Sequence, residues 1–153
     1  MSKVDFSAVR DEIRNAVKRA FAEIRSKIRD EAIYAFALES DGDAMTVCPA
    51  ANTEEGYERR VEKYRSDLSF QESLKEFGLS FRPLDYRWGT NEWAYHHVGH
   101  GHFDTVYKQV NVDDRIDDSD PDGWATFKGR LFAAMVLALT DLDQMGYFGD
   151  AEA

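Results

Sequence analysis

The chain has 153 residues, of which 43% are hydrophobic and 13% aromatic. This length fits one domain and the hydrophobic content suffices for a core, so we expect a single folded domain over residues 1–153 and not a disordered chain. The 19 basic and 29 acidic residues give a net charge of −10. That sign disfavours nucleic acid and anionic membranes as partners and favours basic proteins or cations. Ten glycines, three prolines and one cysteine exclude a collagen-like or disulfide-stapled scaffold.

Three features of the sequence bear on localisation. The single cysteine, Cys48, cannot form an internal disulfide, as is typical of proteins in reducing compartments. The first dozen residues contain acids and no apolar run, unlike a signal peptide. The longest strongly apolar stretch, Leu131 to Leu139, is far shorter than the ~20 residues that a membrane span needs. We therefore expect a soluble cytoplasmic protein without a membrane partner.

The first half of the chain predicts a helix and a hairpin. Apolar residues recur every three or four positions over residues 6–28, the spacing of an amphipathic helix. Two short apolar runs follow at 32–39 and 45–48, and the Asp41-Gly42-Asp43 turn between them predicts a β-hairpin. Pro49 is expected to end the second strand because proline lacks a backbone N–H.

The rest of the chain predicts further helices and one more strand. Asn52 is expected to cap a second helix, with Glu55 completing a capping box. A short helix is predicted over 70–77, an alternating strand over 102–112 and a long helix over 125–145. This order predicts an α+β fold in which an antiparallel sheet with a hairpin is packed by the N-terminal and C-terminal helices.

An acidic loop before the last helix resembles the start of an EF-hand calcium loop. Its carboxylates at alternate positions, Asp118, Asp120 and Asp122, would supply oxygen ligands, and Gly123 would allow the turn. The twelfth position is Gly129, however, and not the bidentate glutamate that such loops use. A solvated acidic turn that stabilises the start of the last helix is the competing interpretation.

All four histidines lie within residues 96–102. If this segment is a strand, His100 and His102 lie on one face and are candidate Zn²⁺ ligands. The neighbouring glycines, Gly99 and Gly101, favour a loop instead, and no other Cys or His completes the ligand set. We therefore expect an ordinary polar turn and no cofactor.

The sequence contains no recognisable catalytic pattern. It has no G-x-S-x-G elbow, P-loop or G-x-G-x-x-G motif, and no Cys-His signature surrounds Cys48. We predict no catalytic residues, and a non-enzymatic role is favoured.

An aromatic cluster between residues 86 and 95 is the candidate partner-binding surface. Tryptophan, tyrosine and arginine are enriched in binding hot spots. The same side chains also anchor cores, so burial of a tryptophan competes with the binding role, and an ion pair within the cluster would hold its turn. The candidate residues are Arg87, Trp88, Glu92, Trp93 and Tyr95.

Short motifs in the chain carry a family resemblance. They are Tyr34-Ala35-Phe36-Ala37-Leu38, Ala51-Asn52-Thr53-Glu54-Glu55, Arg87-Trp88 with Glu92-Trp93 and Tyr95, and Gly146-Tyr147-Phe148-Gly149. Together they resemble a bacterial domain family of unknown function, the DUF4303 family, over nearly the whole chain. The resemblance implies no established activity, cofactor or catalytic residue. Domains of this size and acidity often lie beside polymorphic-toxin genes, which suggests an immunity-type role.

We therefore expect a non-enzymatic binding protein, similar to immunity proteins that neutralise a basic toxin. Acids at 113–122 and 141–152 would steer the partner, and the aromatic cluster would supply affinity. Two alternatives stay open: a small metal-binding or enzymatic domain built on residues 96–102 or on the acidic loop, and a regulatory module that binds a small ligand. Neither the identity of the partner nor the oligomeric state follows from the sequence.

Overall fold

The structure is a computed structural model that describes residues 4–116 and 119–149. Its helices are α1 (Phe6–Lys27), α2 (Glu54–Ser66), α3 (Leu68–Glu76), α4 (Asp104–Val110) and α5 (Gly123–Gln144). Its strands are β1 (Ile33–Glu39), β2 (Cys48–Thr53) and β3 (Tyr95–His96). Short 3₁₀ turns span Pro83–Tyr86, Thr90–Glu92 and His100–Phe103.

Helix α1 lies where the sequence predicts it. The Asp5 carboxylate caps it by accepting hydrogen bonds from the backbone N–H groups of Ser7 (3.0 Å) and Ala8 (3.1 Å). Helix α5 packs against it: the rings of Phe6 and Phe127 lie 5.5 Å apart, and Arg10 forms an ion pair with Asp141 at 2.6 Å. The buried stripe of α1 comprises Val9, Ile13, Ala16, Val17, Ala20, Phe21 and Ile24.

The three strands form an antiparallel sheet in the order β1-β2-β3, so the predicted α+β class is confirmed. The predicted second strand at 45–48 is wrong, however, since β2 begins at Cys48 and continues to Thr53. Pro49 lies inside β2, paired with Leu38. The position tolerates proline because only its carbonyl is used, as the acceptor of the His97 N–H at 3.0 Å.

The start of α2 lies one residue later than predicted. Thr53, and not Asn52, is the cap, and its hydroxyl accepts the Gly56 N–H at 2.9 Å. Asn52 stays in β2 with 1% of its surface exposed, because the strand runs directly into the helix. The Glu55 carboxylate accepts the backbone N–H of Ala32 instead of closing a capping box.

The predicted strand over 102–112 is also wrong, because this segment forms a 3₁₀ turn and helix α4. Phe103, Val106 and Val110 are almost fully buried against the core. These buried residues recur at a spacing of three and four positions, which is the period of a helix. The alternation of side chains that predicted a strand does not correspond to the buried face.

Helix α5 starts two residues before the predicted position and presents Leu131 and Met135 to the core. The region between α1, α4 and α5 is therefore the main hydrophobic core. None of the described helices has the length and apolar character that a membrane span requires.

Candidate functional site

A groove of about 860 Å³ runs beside β1, with α1 on one side and the C-terminal end of α5 on the other. Charged side chains of Arg25, Glu54 and Asp143 lie around it. Its apolar lining comes from separate elements and includes Phe21, Ile33, Phe36, Leu139 and Phe148.

The end of α5 places the last aromatic residue of this lining. Gly146 adopts φ +69°, a left-handed conformation that stops a helix and that glycine adopts without strain. Its N–H binds the carbonyl of Asp143 (2.9 Å), and the next N–H, of Tyr147, binds that of Leu142 (2.9 Å). This pair of bonds is a Schellman motif, and it turns Phe148 back onto the groove, where its ring stacks on Phe36 at 5.6 Å.

Strand β1 is the edge of the sheet on the side of the groove. Five consecutive residues, 32–36, line the groove, so backbone as well as side chains of both faces contributes to its surface. Among the described residues, no backbone hydrogen bond joins residues 33–38 to anything outside the β1–β2 ladder. A free strand edge of this kind is a template for pairing with another extended segment.

Arg87 lies beside Tyr34 and Glu54, which line one end of the groove. Its guanidinium forms a two-pronged ion pair with the Glu54 carboxylate, at 2.9 and 2.6 Å. It also lies over the Tyr34 ring (4.1 Å) and near the Tyr57 ring (5.0 Å). The hydrogen bonds with Glu54 raise the pKa of Arg87 and lower that of Glu54, so both remain charged. The arrangement is a preorganised arginine between aromatic faces.

A hydrogen-bond network behind Arg87 holds this end rigid. The Tyr34 hydroxyl donates to the Arg87 carbonyl at 2.8 Å and accepts from the Asn52 amide at 2.8 Å. The Asn52 carbonyl oxygen accepts the backbone N–H of Ala94. The sequence singled out Tyr34 only as part of a family motif and Asn52 only as a helix cap, and predicted neither as part of a site. An asparagine directly after the apolar residues of a strand is a signal for a buried network.

The predicted aromatic cluster divides between surface and core. Trp88 is 65% exposed and packs edge-on against the ring of the groove-lining residue Tyr34 at 5.6 Å, although Trp88 itself does not line the groove. Trp93 is only 5% exposed, and its indole N–H donates to the Arg87 carbonyl at 3.0 Å. Trp93 is therefore a core anchor, as the competing interpretation holds, while Arg87 and Trp88 lie beside Tyr34.

Two further predicted residues bind partners on other elements. Glu92 does not pair with Arg87; its carboxylate accepts the Tyr64 hydroxyl at 2.8 Å and lies 3.6 Å from Arg60. The Tyr95 hydroxyl donates to Glu31 at 2.7 Å.

Glu31 is the centre of a polar network that joins α2 to the sheet. Its carboxylate accepts hydrogen bonds from Arg59 (2.6 Å), Thr53 (2.6 Å) and Tyr95 (2.7 Å). The Arg59 hydrogen bond is the largest cause of a Glu31 pKa lowered from 4.5 to about 2. These contacts give Tyr95 a structural role that does not need a partner.

The acidic loop lies at the other end of α5 from the groove. A helix of 22 residues is about 33 Å long, so the loop is remote from the aromatic residues. Of the predicted calcium ligands, Asp118 lies outside the described residues, and the Asp120 carboxylate accepts the backbone N–H of Asp122 at 2.9 Å. The structure therefore does not join the acidic loop and the aromatic cluster into one surface.

The two histidines predicted to share a metal have separate partners. Nδ1 of His100 lies 3.2 Å from the His97 carbonyl, and Nε2 of His102 lies 2.9 Å from the Glu23 carboxylate. The potential metal ligands that the described chain does bring together are Glu39, His96 and His97, at the opposite end of β1 from Tyr34.

Comparison with known proteins places the chain in a family. A family model described as "Domain of unknown function (DUF4303)" matches residues 13–153. No curated protein and no solved structure matches the chain.

Proposed function

The chain belongs to the DUF4303 family, and we propose that it is a non-enzymatic binding protein that holds an extended segment of a basic protein in the groove beside β1. A toxin that is neutralised in this way, as by an immunity protein, is the kind of partner we propose. The free edge of β1, lying along a groove whose lining is partly apolar, is the observation that carries this proposal.

Strand addition is the binding mode that fits the groove. An incoming strand would form backbone hydrogen bonds with β1, and its alternate side chains would enter the apolar lining. Residues 32–36 line the groove, and five extended residues span about 17 Å. A partner segment of this length would therefore be held mainly by its backbone and by two or three apolar side chains.

Arg87 and Trp88 supply a second contact at the end of the groove. Trp88 offers a large exposed ring next to Tyr34, and the ion pair with Glu54 keeps Arg87 in place before a partner arrives. Rigid aromatic and arginine side chains lose little entropy on binding, which is why they dominate hot spots.

Charge favours a basic partner. The net charge is −10. Besides the paired Glu54, the groove is lined by the acidic Asp143, which forms no ion pair with another described residue, and by the basic Arg25. A basic side chain next to the bound strand would pair with this carboxylate. The remote acidic loop would act only through long-range steering, which salt suppresses beyond ~8–10 Å.

The single cysteine of the chain does not favour thiol catalysis. Burial raises the pKa of the Cys48 thiol, and Glu39 adds to that effect. A thiol with a raised pKa is a poor nucleophile at neutral pH.

The test is to select peptides from a random display library against the full chain and to measure their affinity for variants. Trp88→Ala should weaken a selected basic peptide by roughly 30-fold if it is a hot spot of ~2 kcal/mol. Asp143→Lys should slow association and remove part of its salt dependence. Val136→Ala is the matched control, because Val136 is 61% exposed on α5 but does not line the groove.

Amide hydrogen exchange identifies the binding mode. Bound peptide should slow exchange at alternate residues within 33–37, since only every second N–H of β1 points away from β2 and a new strand would bind those groups. Protection elsewhere, with no change in β1, would refute strand addition. If no peptide were selected and a metabolite raised the melting temperature, the small-ligand alternative would be favoured. The volume of the groove lies within the ~300–1,000 Å³ that is typical of small-molecule pockets.

A further inference from the structure

Glu39, His96 and His97 meet at the C-terminal end of β1, although Glu39 is 57 residues from His96 in the sequence. Oε2 of Glu39 lies 2.6 Å from Nε2 of His96 and 3.7 Å from Nε2 of His97. The two imidazole rings are stacked, with centroids 3.7 Å apart. One carboxylate oxygen thus faces two imidazole nitrogens.

The sheet register brings the first two of these residues together. Ala37 and His96 both pair with Ala50, so they lie on the same face of the sheet. Glu39 is two residues beyond Ala37 and shares that face, because side chains alternate along a strand.

An unusual backbone conformation adds the third residue. Neighbouring residues of a strand point to opposite faces, so His96 and His97 would normally diverge. His97 has φ +61°, a left-handed conformation that is uncommon for residues other than glycine. Its N–H is held by the Pro49 carbonyl at 3.0 Å, and the turn brings the two rings to the same side.

A hydrogen bond to its other oxygen orients the Glu39 carboxylate. The Thr90 hydroxyl donates a hydrogen bond to Oε1 of Glu39, which leaves Oε2 directed at the two imidazoles. The Glu39 and His96 side chains are 21% and 29% exposed, whereas His97 is 52% exposed. Solvent therefore reaches the cluster from the side of His97.

We propose that Glu39, His96 and His97 bind a divalent transition-metal ion of the Zn²⁺ type, with water in the remaining coordination position. Two imidazoles and one carboxylate form a common zinc ligand set, and Zn–N and Zn–O distances are about 2.0–2.2 Å. Tetrahedral ligand atoms at those distances lie about 3.3 Å from one another. The 2.6 Å pair would open and the 3.7 Å pair would close, each by less than ~1 Å. Because an imidazole binds a metal in its ring plane, the two stacked rings would also have to rotate about their side-chain torsions so that both planes contain the ion.

A simple histidine–carboxylate hydrogen bond does not explain why His97 lies beside the same carboxylate oxygen. That bond needs only Glu39 and His96, and it does not need His97 in a left-handed conformation beside the same oxygen. The site also supplies what the histidine run lacks in the sequence, namely a ligand from elsewhere in the chain.

The experiment is a calorimetric titration of the chelator-treated full chain with Zn²⁺ alone. We expect saturation at one ion per chain in the micromolar range or tighter. Titrations with Mg²⁺ should give no comparable heat, because imidazole ligands suit zinc and not magnesium.

Matched variants of the same histidine run locate the ion. Glu39→Gln, His96→Gln and His97→Asn should each weaken binding by at least ~10-fold; asparagine is chosen at 97 because it tolerates the left-handed conformation. His100→Gln and His102→Gln should bind Zn²⁺ as the unaltered protein does. Thermal melting by circular dichroism checks that each variant is folded, and His97→Asn tests the exposed ligand if the Glu39 variant unfolds. Absence of saturable binding, or loss of binding in the His100 or His102 variants but not in those of the cluster, would overturn the proposal.

Discussion

Replacing Gly56 with alanine should destabilise the protein, although the same change in a helix normally stabilises it. Gly56 lies in the first turn of α2, packed against the segment before β3. A methyl group at this position would lie 2.8 Å from the Ala94 methyl group, where carbon atoms normally stay about 3.5–4.0 Å apart. It would also lie 2.8 Å from the Thr53 hydroxyl oxygen and 2.9 Å from the Asn52 side-chain oxygen.

The magnitude follows from two opposing effects. Alanine is favoured over glycine in a helix by roughly 0.5–1 kcal/mol. Overpacking in a tight site costs about 1–3 kcal/mol. The Ala94 methyl group cannot rotate away, so the steric cost should win, and we expect a net loss of about 1–2 kcal/mol in the free energy of unfolding.

Gly129→Ala is the matched control, because Gly129 lies inside α5 with nothing within 4 Å of the added methyl group. It should raise the free energy of unfolding by roughly 0.5–1 kcal/mol. Urea denaturation, followed by tryptophan fluorescence, measures the free energy of unfolding of both variants. In a thermal melt, a change of 1 kcal/mol corresponds to about 2–4 °C at this chain length. If both variants were stabilised equally, the close packing of α2 on Asn52 and Ala94 would be refuted.

Two further predictions concern the core and the response to acid. Leu131→Ala should lower the free energy of unfolding by about 2–5 kcal/mol because the side chain is fully buried. Val136→Ala, on the exposed face of the same helix, should change it by no more than ~0.5 kcal/mol. If urea denaturation gave comparable losses for the two variants, the assignment of the buried face of α5 would be wrong. Glu31→Gln should reduce stability near neutral pH and much less at pH 2. A carboxylate whose pKa is lowered from 4.5 to about 2 stabilises the fold fully above pH ~5 and loses that contribution as the pH falls through ~2. Solvent screening keeps the effect below the ~3 kcal/mol of the full shift, and a difference in urea midpoint between the two proteins that does not change with pH would contradict it.

The long helices follow from the sequence because their signals are local. The three- and four-residue period of α1 and the cap at Asp5 lie within the helix and beside it, and the same holds for α5 and its stop at Gly146. The family resemblance is local in the same sense, since short runs of neighbouring residues carry it. These interactions are formed by residues a few positions apart, so no knowledge of the remaining chain is needed.

Short elements are where the sequence predictions failed. The bounds of β2 depend on Leu38 and His97, which pair with Pro49 from either side. The segment that became α4 is short enough to match both periods, and burial against the core selected the helix. In both cases tertiary contacts override weak local preferences.

The candidate sites depend on the tertiary structure for the same physical reason. The sequence singled out Arg87, Trp88 and the histidine run by residue type, but their roles depend on groups far along the chain. Glu54 is 33 residues from Arg87, and Glu39 is 57 residues from His96. An ion pair or a ligand set gains its energy only when the fold holds its members a few ångströms apart, and a linear sequence does not specify that distance. The sequence by itself therefore determined which side chains could bind a charge, a ring or a metal. The packing of the sheet against its helices decided which group each of those side chains contacts.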